Sequence, residues 1–337
     1  MTSPWSPNNV HPLFDQTRFA PNIDYDRAIR DFAVLATRLM NSPQAQQHDF
    51  CFFFGKNVPA NAPVNYTSRA DGPRQYACDK GIGELDETDI QHVEQQRIKL
   101  GRRIRFEVND LGGTTVACCE PQTPREGVRG CNSIIHIDRK LYDAVLAQGQ
   151  SADDMIRIKF KLTCAMLHEL AHAAHHHLFG HSIEDFREDS NIAEAGFEFE
   201  SRIFGQKPHF ALTATNPNHR VTWIMWQSRA LPAFYDLDEI ARNAWQVPKS
   251  AQPWTDGLGF VTKLFDDGFW EGEYVEHGAR ALIPGEIASS CLARVNNNMF
   301  RSIPLSIKDL FREGGPSYAQ KKYARFANPE RKLRGSA

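Results

Sequence analysis

A chain of 337 residues with 41% hydrophobic and 24% charged residues has the composition of a globular protein with a large core. Its formal net charge of −2 leaves no basic excess that could neutralise phosphates, which argues against a nucleic-acid partner. No stretch is apolar over the roughly 20 residues that a membrane-spanning helix needs, so we expect no membrane partner.

The cysteines and the first residues predict a cytoplasmic protein. The chain has seven cysteines, an odd number with uneven spacing and no CxxC pair, so a disulfide framework is not expected. Cys118, Cys119 and Cys131 are interpreted as small residues of a buried strand rather than as a thiolate metal site. Residues 1–9 show neither the basic start nor the apolar segment of a secretory signal.

The first hundred residues predict an extended arm and two helices. Residues 1–24 are rich in Pro, Asn and Ser and are expected to form the arm. Apolar residues at helical spacing predict a helix over 25–41, whereas the aromatic run 50–54 leads into a connection rich in Pro and Asn. The second helix is predicted over 86–100, with acidic residues in its first turn.

Three strands are expected next. They cover residues 103–108, 114–119 and 133–137, and a turn through residues 109–113 joins the first two. The third strand contains three isoleucines, whose β-branched side chains favour sheets.

Two helices follow the strands. Ser151 can cap a long helix over about 152–179, and Gly180 is the expected stop. Acidic residues directly after Ser151 lie at the positive end of the helix dipole and favour this start. The second helix is predicted over about 191–204.

The predicted fold class is α+β, with a small twisted sheet packed on the long helix. Residues 25–205 are expected to form this core. Residues 206–327 are predicted to be a mainly helical C-terminal part that closes a cleft, and residues 328–337 a flexible tail.

The segment His168-Glu169-Leu170-Ala171-His172 carries the strongest chemical signal. His168 and His172 are four residues apart, so on a helix their side chains share one face with about 6 Å between β-carbons. This separation suits two imidazoles that bind one tetrahedral zinc ion. Glu169 is rotated by about 100° from His168, so it is placed to take a proton from the water that the metal activates. The segment therefore predicts a zinc site with its own general base.

A catalytic zinc ion needs a third protein ligand and one open position. Glu194, 22 residues after His172, lies on the second predicted helix and is the first candidate. Glu198 is four residues further on the same helical face and is expected to accept a hydrogen bond from a motif histidine. His181 is the alternative third ligand.

In these residues the chain resembles the gluzincins, the thermolysin-like branch of the zincin metallopeptidases. In that branch an HExxH segment is followed by a helix that bears a ligand glutamate, an alanine and an acidic residue four positions after the glutamate. Glu194, Ala195 and Glu198 match this pattern, although the family has Asp at the last position. The resemblance covers residues 134–205 and implies a zincin-like fold that binds one Zn²⁺ ion.

The resemblance also implies a role for the strand over 133–137, because in zincins a strand ahead of the active-site helix lies along the cleft and pairs with extended substrate. The metzincin pattern does not fit, since it needs glycine and histidine where this chain has His175 and Leu178. A SprT-like zincin, with His181 as the third ligand, is the alternative within the zincins.

The resemblance implies a zinc-dependent hydrolase that cleaves peptide bonds, with a peptide or protein as its substrate and Glu169 as general base. A zinc hydrolase of other amide bonds and a non-catalytic scaffold that binds a protein partner are the alternatives. The presence of Glu169 argues against the scaffold, because silent relatives of enzymes commonly lose the base.

Two further groups of residues are candidates for a role near the zinc ion. The first candidates for stabilising the oxyanion are Tyr274, His277 and Arg280, and the alternatives are Tyr235, His209 and His219. The three histidines at 175–177 are expected at the exposed end of the long helix, where imidazolium would complement the negative end of the dipole.

Overall fold

The structure is a computed structural model, and it describes residues 9–57, 75–77, 80–112, 115–123, 130–180, 186–187, 195–212, 221–228, 258–284, 290–296 and 299–304. The chain divides into two compact units, one of residues 1–227 and 256–284 and the other of residues 228–255 and 285–337. Within the described ranges, no helix has the length and apolar content needed to cross a bilayer.

The fold is mixed α+β, and helices supply most of its regular structure. They are α1 (Arg30–Met40), α2 (Pro43–Phe54), α3 (Glu87–Gly101), α4 (Arg139–Leu146), α5 (Ala152–Phe179) and α6 (Ala195–Phe204), with short helical segments at Leu258–Leu264 and Tyr274–His277. The helices predicted over 25–41, 86–100 and 152–179 are confirmed, the first beginning with a π-helical turn. Of the helix predicted over 191–204, the described part is α6.

The longest helix, α5, begins and ends where the sequence predicts. The Asp154 N–H donates to Ser151 Oγ at 3.1 Å, which satisfies one of the free donors of the first turn. Gly180 ends the helix with a φ of +69°, a backbone conformation that glycine adopts without strain. Most of the side chains along this 28-residue helix are buried, because other helices and the main sheet pack around it.

The main sheet contains β3 (Ile104–Asn109), β4 (Ala117–Pro121) and β5 (Ser133–Asp138) in the order β3-β5-β4. Strand β5 runs parallel to β3 and antiparallel to β4. The three predicted strands are confirmed. The two that follow each other in sequence are nevertheless not neighbours in space, because β5 lies between them.

The central position of β5 decides which strand can bind an extended peptide. Both edges of β5 are hydrogen-bonded to neighbouring strands, so its backbone groups have no capacity left for a substrate. The prediction that the strand over 133–137 pairs with substrate is therefore wrong. Within the described residues, β4 has a partner on one side only and is the open edge of the sheet.

The predicted extended arm is also wrong for residues 9–24. Pro12–Phe14 form a turn of 3-10 helix, and Phe14 is fully buried. The Phe19 ring stacks on Phe106 of β3 with 4.5 Å between centroids, and the Ala20 N–H donates to the Phe106 carbonyl at 2.9 Å. The aromatic side chains of a segment that is polar on average thus bind it to the sheet.

Helix α2 has no counterpart among the predicted elements, yet its sequence contains a start signal. Ser42 caps it by accepting a hydrogen bond from the Ala45 N–H at 3.3 Å, and Pro43 occupies the first turn. The aromatic run 50–54 is the last turn of this helix. The seryl-prolyl pair could have identified α2 from the sequence.

In the part of the chain that the structure describes, seven further strands belong to smaller sheets. They are β1 (Lys56–Asn57), β2 (Gln75–Ala77) and β6 (Phe186–Arg187) in one sheet, β7 (Gln206–Leu212) with β8 (Val221–Ser228) in another, and β9 (Ser290–Asn296) with β10 (Met299–Pro304) in the second unit. Four of these strands contradict a mainly helical C-terminal part over 206–327, wherever the structure describes that part. The predicted tail, residues 328–337, lies outside the described residues.

The chain leading into β5 is anchored on the C-terminal end of α5. The Cys131 N–H and the Gly180 N–H both donate to the His176 carbonyl, each at 2.9 Å. Gly130 has a φ of +73°, and a Cβ atom there would overlap the carbonyl oxygen of His177. Both the backbone conformation and the close approach therefore require glycine at position 130.

We expect Gly130→Ala to lower the free energy of unfolding by about 2–4 kcal/mol. The cost of placing alanine at a left-handed φ and the cost of displacing the helix end both contribute to this loss. Gly149→Ala is the matched control. Its φ of +78° is similar but nothing lies within 4 Å, so a loss of only about 1 kcal/mol is expected. Urea unfolding of both variants measures the difference, and equal losses would contradict the proposed packing.

Candidate metal centre

Helix α5 presents the two motif histidines on one face. The ring centroids of His168 and His172 are 4.9 Å apart, with the ring planes inclined by 64°. Both side chains are half-buried, whereas Leu170 and Ala171 between them are buried in the core and fix the helix. The separation of the two imidazoles is compatible with two ligands of a single zinc ion.

Helix α6 approaches this face of α5 through a glycine. A Cβ atom built on Gly196 would lie closer than 3.0 Å to the His168 ring, a distance that real Cβ atoms essentially never show. Phe197, the next residue, places its ring centroid 4.7 Å from that of His168 in an edge-to-face arrangement. The imidazole of His168 is thus held by the backbone of one residue and the ring of the next.

A carboxylate on α6 completes the surroundings of His168. Glu200 is buried, and its Oε1 lies 3.2 Å from His168 Nδ1. A neutral imidazole that donates from Nδ1 to this carboxylate keeps Nε2 unprotonated, which is the form that binds a metal. Glu200 is absent from the sequence-predicted site. Glu200 is four residues after Gly196, so both lie on the same face of the helix. This spacing predicts a role for Glu200 only once Gly196 is known to contact His168.

The structure describes only one of the three residues that were predicted to complete the metal site with the motif histidines. Glu194 and His181, the two candidate third ligands, lie outside the described residues. Glu198 is buried on α6, and its Oε1 lies 3.5 Å from Arg202 Nη2. The assignment of Glu198 as an acceptor for a motif histidine stays a prediction.

Within the described residues, no three His, Cys, Asp or Glu side chains are grouped so that they could hold a metal ion. Glu200 therefore does not complete a ligand set with His168 and His172. Its contact with Nδ1 fits an orienting role instead. A third ligand for a zinc ion would have to come from outside the described residues, where both candidates lie.

Glu169 is buried, with 8% of its surface exposed, and it lies near the edge strand β4. Burial raises the pKa of the thiols of Cys118 and Cys119 on that strand, and the negative charge of Glu169 raises them further. Neutral thiols suit the interpretation of these cysteines as packing residues. The candidate base is thus buried on the helix that packs against β4.

The antiparallel register decides which backbone groups of β4 face this open edge. The Gln122 N–H donates to the Asn132 carbonyl at 2.8 Å, beside the end of β4. Hydrogen-bonded and non-hydrogen-bonded residue pairs alternate along an antiparallel ladder. Every second residue of β4, counted towards the N-terminus from Gln122 and including Cys118, therefore has its backbone N–H and C=O groups bonded to β5. The N–H and C=O groups of Ala117 and Cys119 therefore point away from β5.

The three histidines at 175–177 do not lie at an exposed helix end, and that prediction is wrong. His175 is 1% exposed. His176 Nδ1 lies 3.2 Å from Ser133 Oγ and 3.5 Å from Cys119 Sγ. Burial, with the positive charges of Arg103 and Lys99, lowers the pKa of His177 to about 4, so this imidazole is neutral near pH 7. The anchored chain before β5 covers this end of α5.

Two of the predicted oxyanion donors, Tyr274 and His277, lie on the short helix Tyr274–His277, and the third, Arg280, lies on the 3-10 helix Gly278–Leu282 that follows it. Tyr274 is buried, its ring centroid lies 4.9 Å from that of Trp270, and burial raises its pKa to about 12. His277 is exposed, with Nε2 3.9 Å from a carboxylate oxygen of Glu276. A role for either residue at the metal centre stays a prediction.

Comparisons of the chain with protein-family models, with curated proteins and with solved structures found no match.

We expect Gly196→Ala to weaken both the fold and the metal centre, because a methyl group would displace the His168 ring or push α6 away from α5. A loss of about 1–3 kcal/mol in the free energy of unfolding and weaker zinc binding in a chelator competition are predicted. Gly259→Ala, on another helix with nothing within 4 Å, is the matched control and should stabilise by about 0.5–1 kcal/mol. Unchanged zinc affinity in Gly196→Ala would contradict this geometry.

Proposed function

We propose that this chain is a zinc-dependent peptidase of the gluzincin type. The observation that supports it best is the His168–His172 pair on one face of α5, with the His168 ring held against Gly196 and oriented by Glu200. An ordinary solvated histidine face would need neither a glycine at the neighbouring helix nor a buried carboxylate on Nδ1. A zincin-like architecture, with a small sheet whose open edge lies beside the active-site helix, is part of the proposal.

The donor set suits zinc. His168 and His172 would hold the ion through imidazole nitrogens, with Glu194 as the proposed third ligand. When bound, zinc supplies a Lewis acid that polarises the scissile carbonyl and lowers the pKa of the attacking water towards about 7. Glu200 keeps the His168 ring in one orientation and one tautomer.

Glu169 acts as the general base in the proposed reaction. It accepts a proton from the attacking water and later delivers that proton to the nitrogen of the leaving amine. Its burial on the helix that packs against β4 restricts access of bulk water to the carboxylate. Tyr274 and His277 remain proposed donors to the developing oxyanion.

The open edge of β4 provides a way to hold a peptide substrate. Ala117 and Cys119 direct their N–H and C=O groups away from β5, so an extended peptide can add to the sheet as a further strand. The carbonyl at the scissile bond would then lie near Glu169. Pro121, the last residue of β4, has no N–H to donate and limits the pairing at that end.

Replacement of the base separates catalysis from metal binding. We expect Glu169→Gln to retain zinc, as measured by elemental analysis, and to cleave a peptide library about 10²–10⁴-fold more slowly than the native chain. Glu271→Gln, which changes an exposed carboxylate on Phe269–Glu273, is the control and should keep the native rate.

Native cleavage rates in Glu169→Gln would contradict the assignment of the base. A native chain that binds zinc but hydrolyses no amide would favour the non-catalytic scaffold instead.

A further inference from the structure

A hydrogen-bonded relay crosses the main sheet and ends at its open edge. Asn109 of β3 donates from Nδ2 to His136 Nδ1 on β5, with 2.6 Å between the nitrogens. Because Nδ1 accepts this bond, the ring proton is on Nε2, which donates to Glu120 Oε2 on β4 at 2.8 Å. The imidazole of His136 thus links side chains of all three strands of the main sheet.

The relay connects a largely buried imidazole ring to an exposed carboxylate. The side chain of His136 is 12% exposed, whereas that of Glu120 is 59% exposed. His136 holds Oε2, and Oε1 of Glu120 has no polar partner among the described residues. One oxygen is therefore fixed while the other is open to a ligand. An exposed carboxylate on a sheet needs no such support for folding alone.

The other charges on this face of the sheet do not neutralise Glu120. Residues in register across neighbouring strands share a face, and Glu107 of β3 is in register with His136. Arg105, the basic residue on this face of β3, lies 3.7 Å from Glu107 and forms an ion pair with it. The edge strand therefore presents a net negative charge.

Glu120 lies on the edge strand, on the face of β4 opposite to the face through which Cys119 contacts His176 of α5. It follows Cys118 by two residues, so both side chains lie on the same face of β4, about 7 Å apart along the strand. Cys118 is near enough to Glu169 for the charge of that carboxylate to raise the pKa of the thiol, after the larger effect of burial. A substrate strand on the open edge would place its own side chains within about 5 Å of these two positions.

We propose that Glu120 is a specificity-determining residue that selects peptides with a lysine or arginine side chain opposite it on the added strand. The inference rests on the proposed peptidase function and names the class of substrate for that same site. A basic side chain of the added strand donates a charge-assisted hydrogen bond to Glu120, whose orientation is fixed by His136 and Asn109. An acidic side chain at the same position is repelled.

The test uses sets of peptides that differ only in carrying Lys, Gln or Glu at one position, scanned across the sequence. At the selective position the native chain is expected to show a kcat/KM at least tenfold higher for Lys than for Glu. Glu120→Gln should reduce this ratio, and Glu120→Lys should invert it. Glu107→Lys makes the same charge change on the same face of the sheet, but on the strand furthest from the edge, and should leave the ratio unaltered.

Binding to chains with the base replaced separates the two claims. The same peptides, labelled for fluorescence anisotropy, are titrated into Glu169→Gln with and without Glu120→Lys. If the native chain cleaves the peptides and Glu120→Lys keeps the same charge preference, the role of Glu120 is overturned and the peptidase function is not. No cleavage by the native chain, together with a binding preference for Lys that Glu120→Lys inverts, would overturn the peptidase and support the subsite. Absence of any charge preference in binding would overturn the subsite.

Discussion

The contact between Gly196 and the ring of His168 is the constraint on which the rest of the centre depends. Two helices can approach this closely only where one of them lacks a side chain. The approach brings Glu200 to His168 Nδ1 and Phe197 to the face of the ring. One glycine thus determines how far apart the helices lie, how the ring is oriented and which of its nitrogens is left for a metal.

Helix α6 is held in this position by the core behind it. The ring of Phe199 on α6 lies 4.9 Å from that of His48 on α2, and His48 Nδ1 lies 3.1 Å from Asp49 Oδ1. Arg97 of α3 donates from Nε to the other oxygen of Asp49 at 2.8 Å. Burial alone would raise the pKa of Asp49, but Arg97 and His48 outweigh it, so the pKa is lowered. This buried network fixes the mutual positions of α2 and α3 and makes α6 part of a rigid framework.

Local signals predicted the long helix and the three strands of the main sheet, whereas contacts between elements were beyond them. Ser151 and Gly180 define α5 through capping chemistry that acts within a few residues. Strand order depends on pairing between distant segments, so nothing local indicates that β5 enters between β3 and β4. The contact of Glu200 with His168 could not be predicted from local sequence either, because it depends on the close approach of α6 to α5 at Gly196. The motif itself, being confined to one helical turn, could be read from the sequence alone.

The central claim is that one zinc ion lies between His168 and His172. A crystal structure of the zinc-loaded chain, with anomalous scattering recorded at the zinc edge, tests it most directly. The account predicts a single strong peak within about 2.1 Å of a nitrogen of each ring, with a carboxylate oxygen of Glu194 as the third protein ligand. A peak elsewhere, or motif rings that bind no metal at full zinc loading, would contradict it.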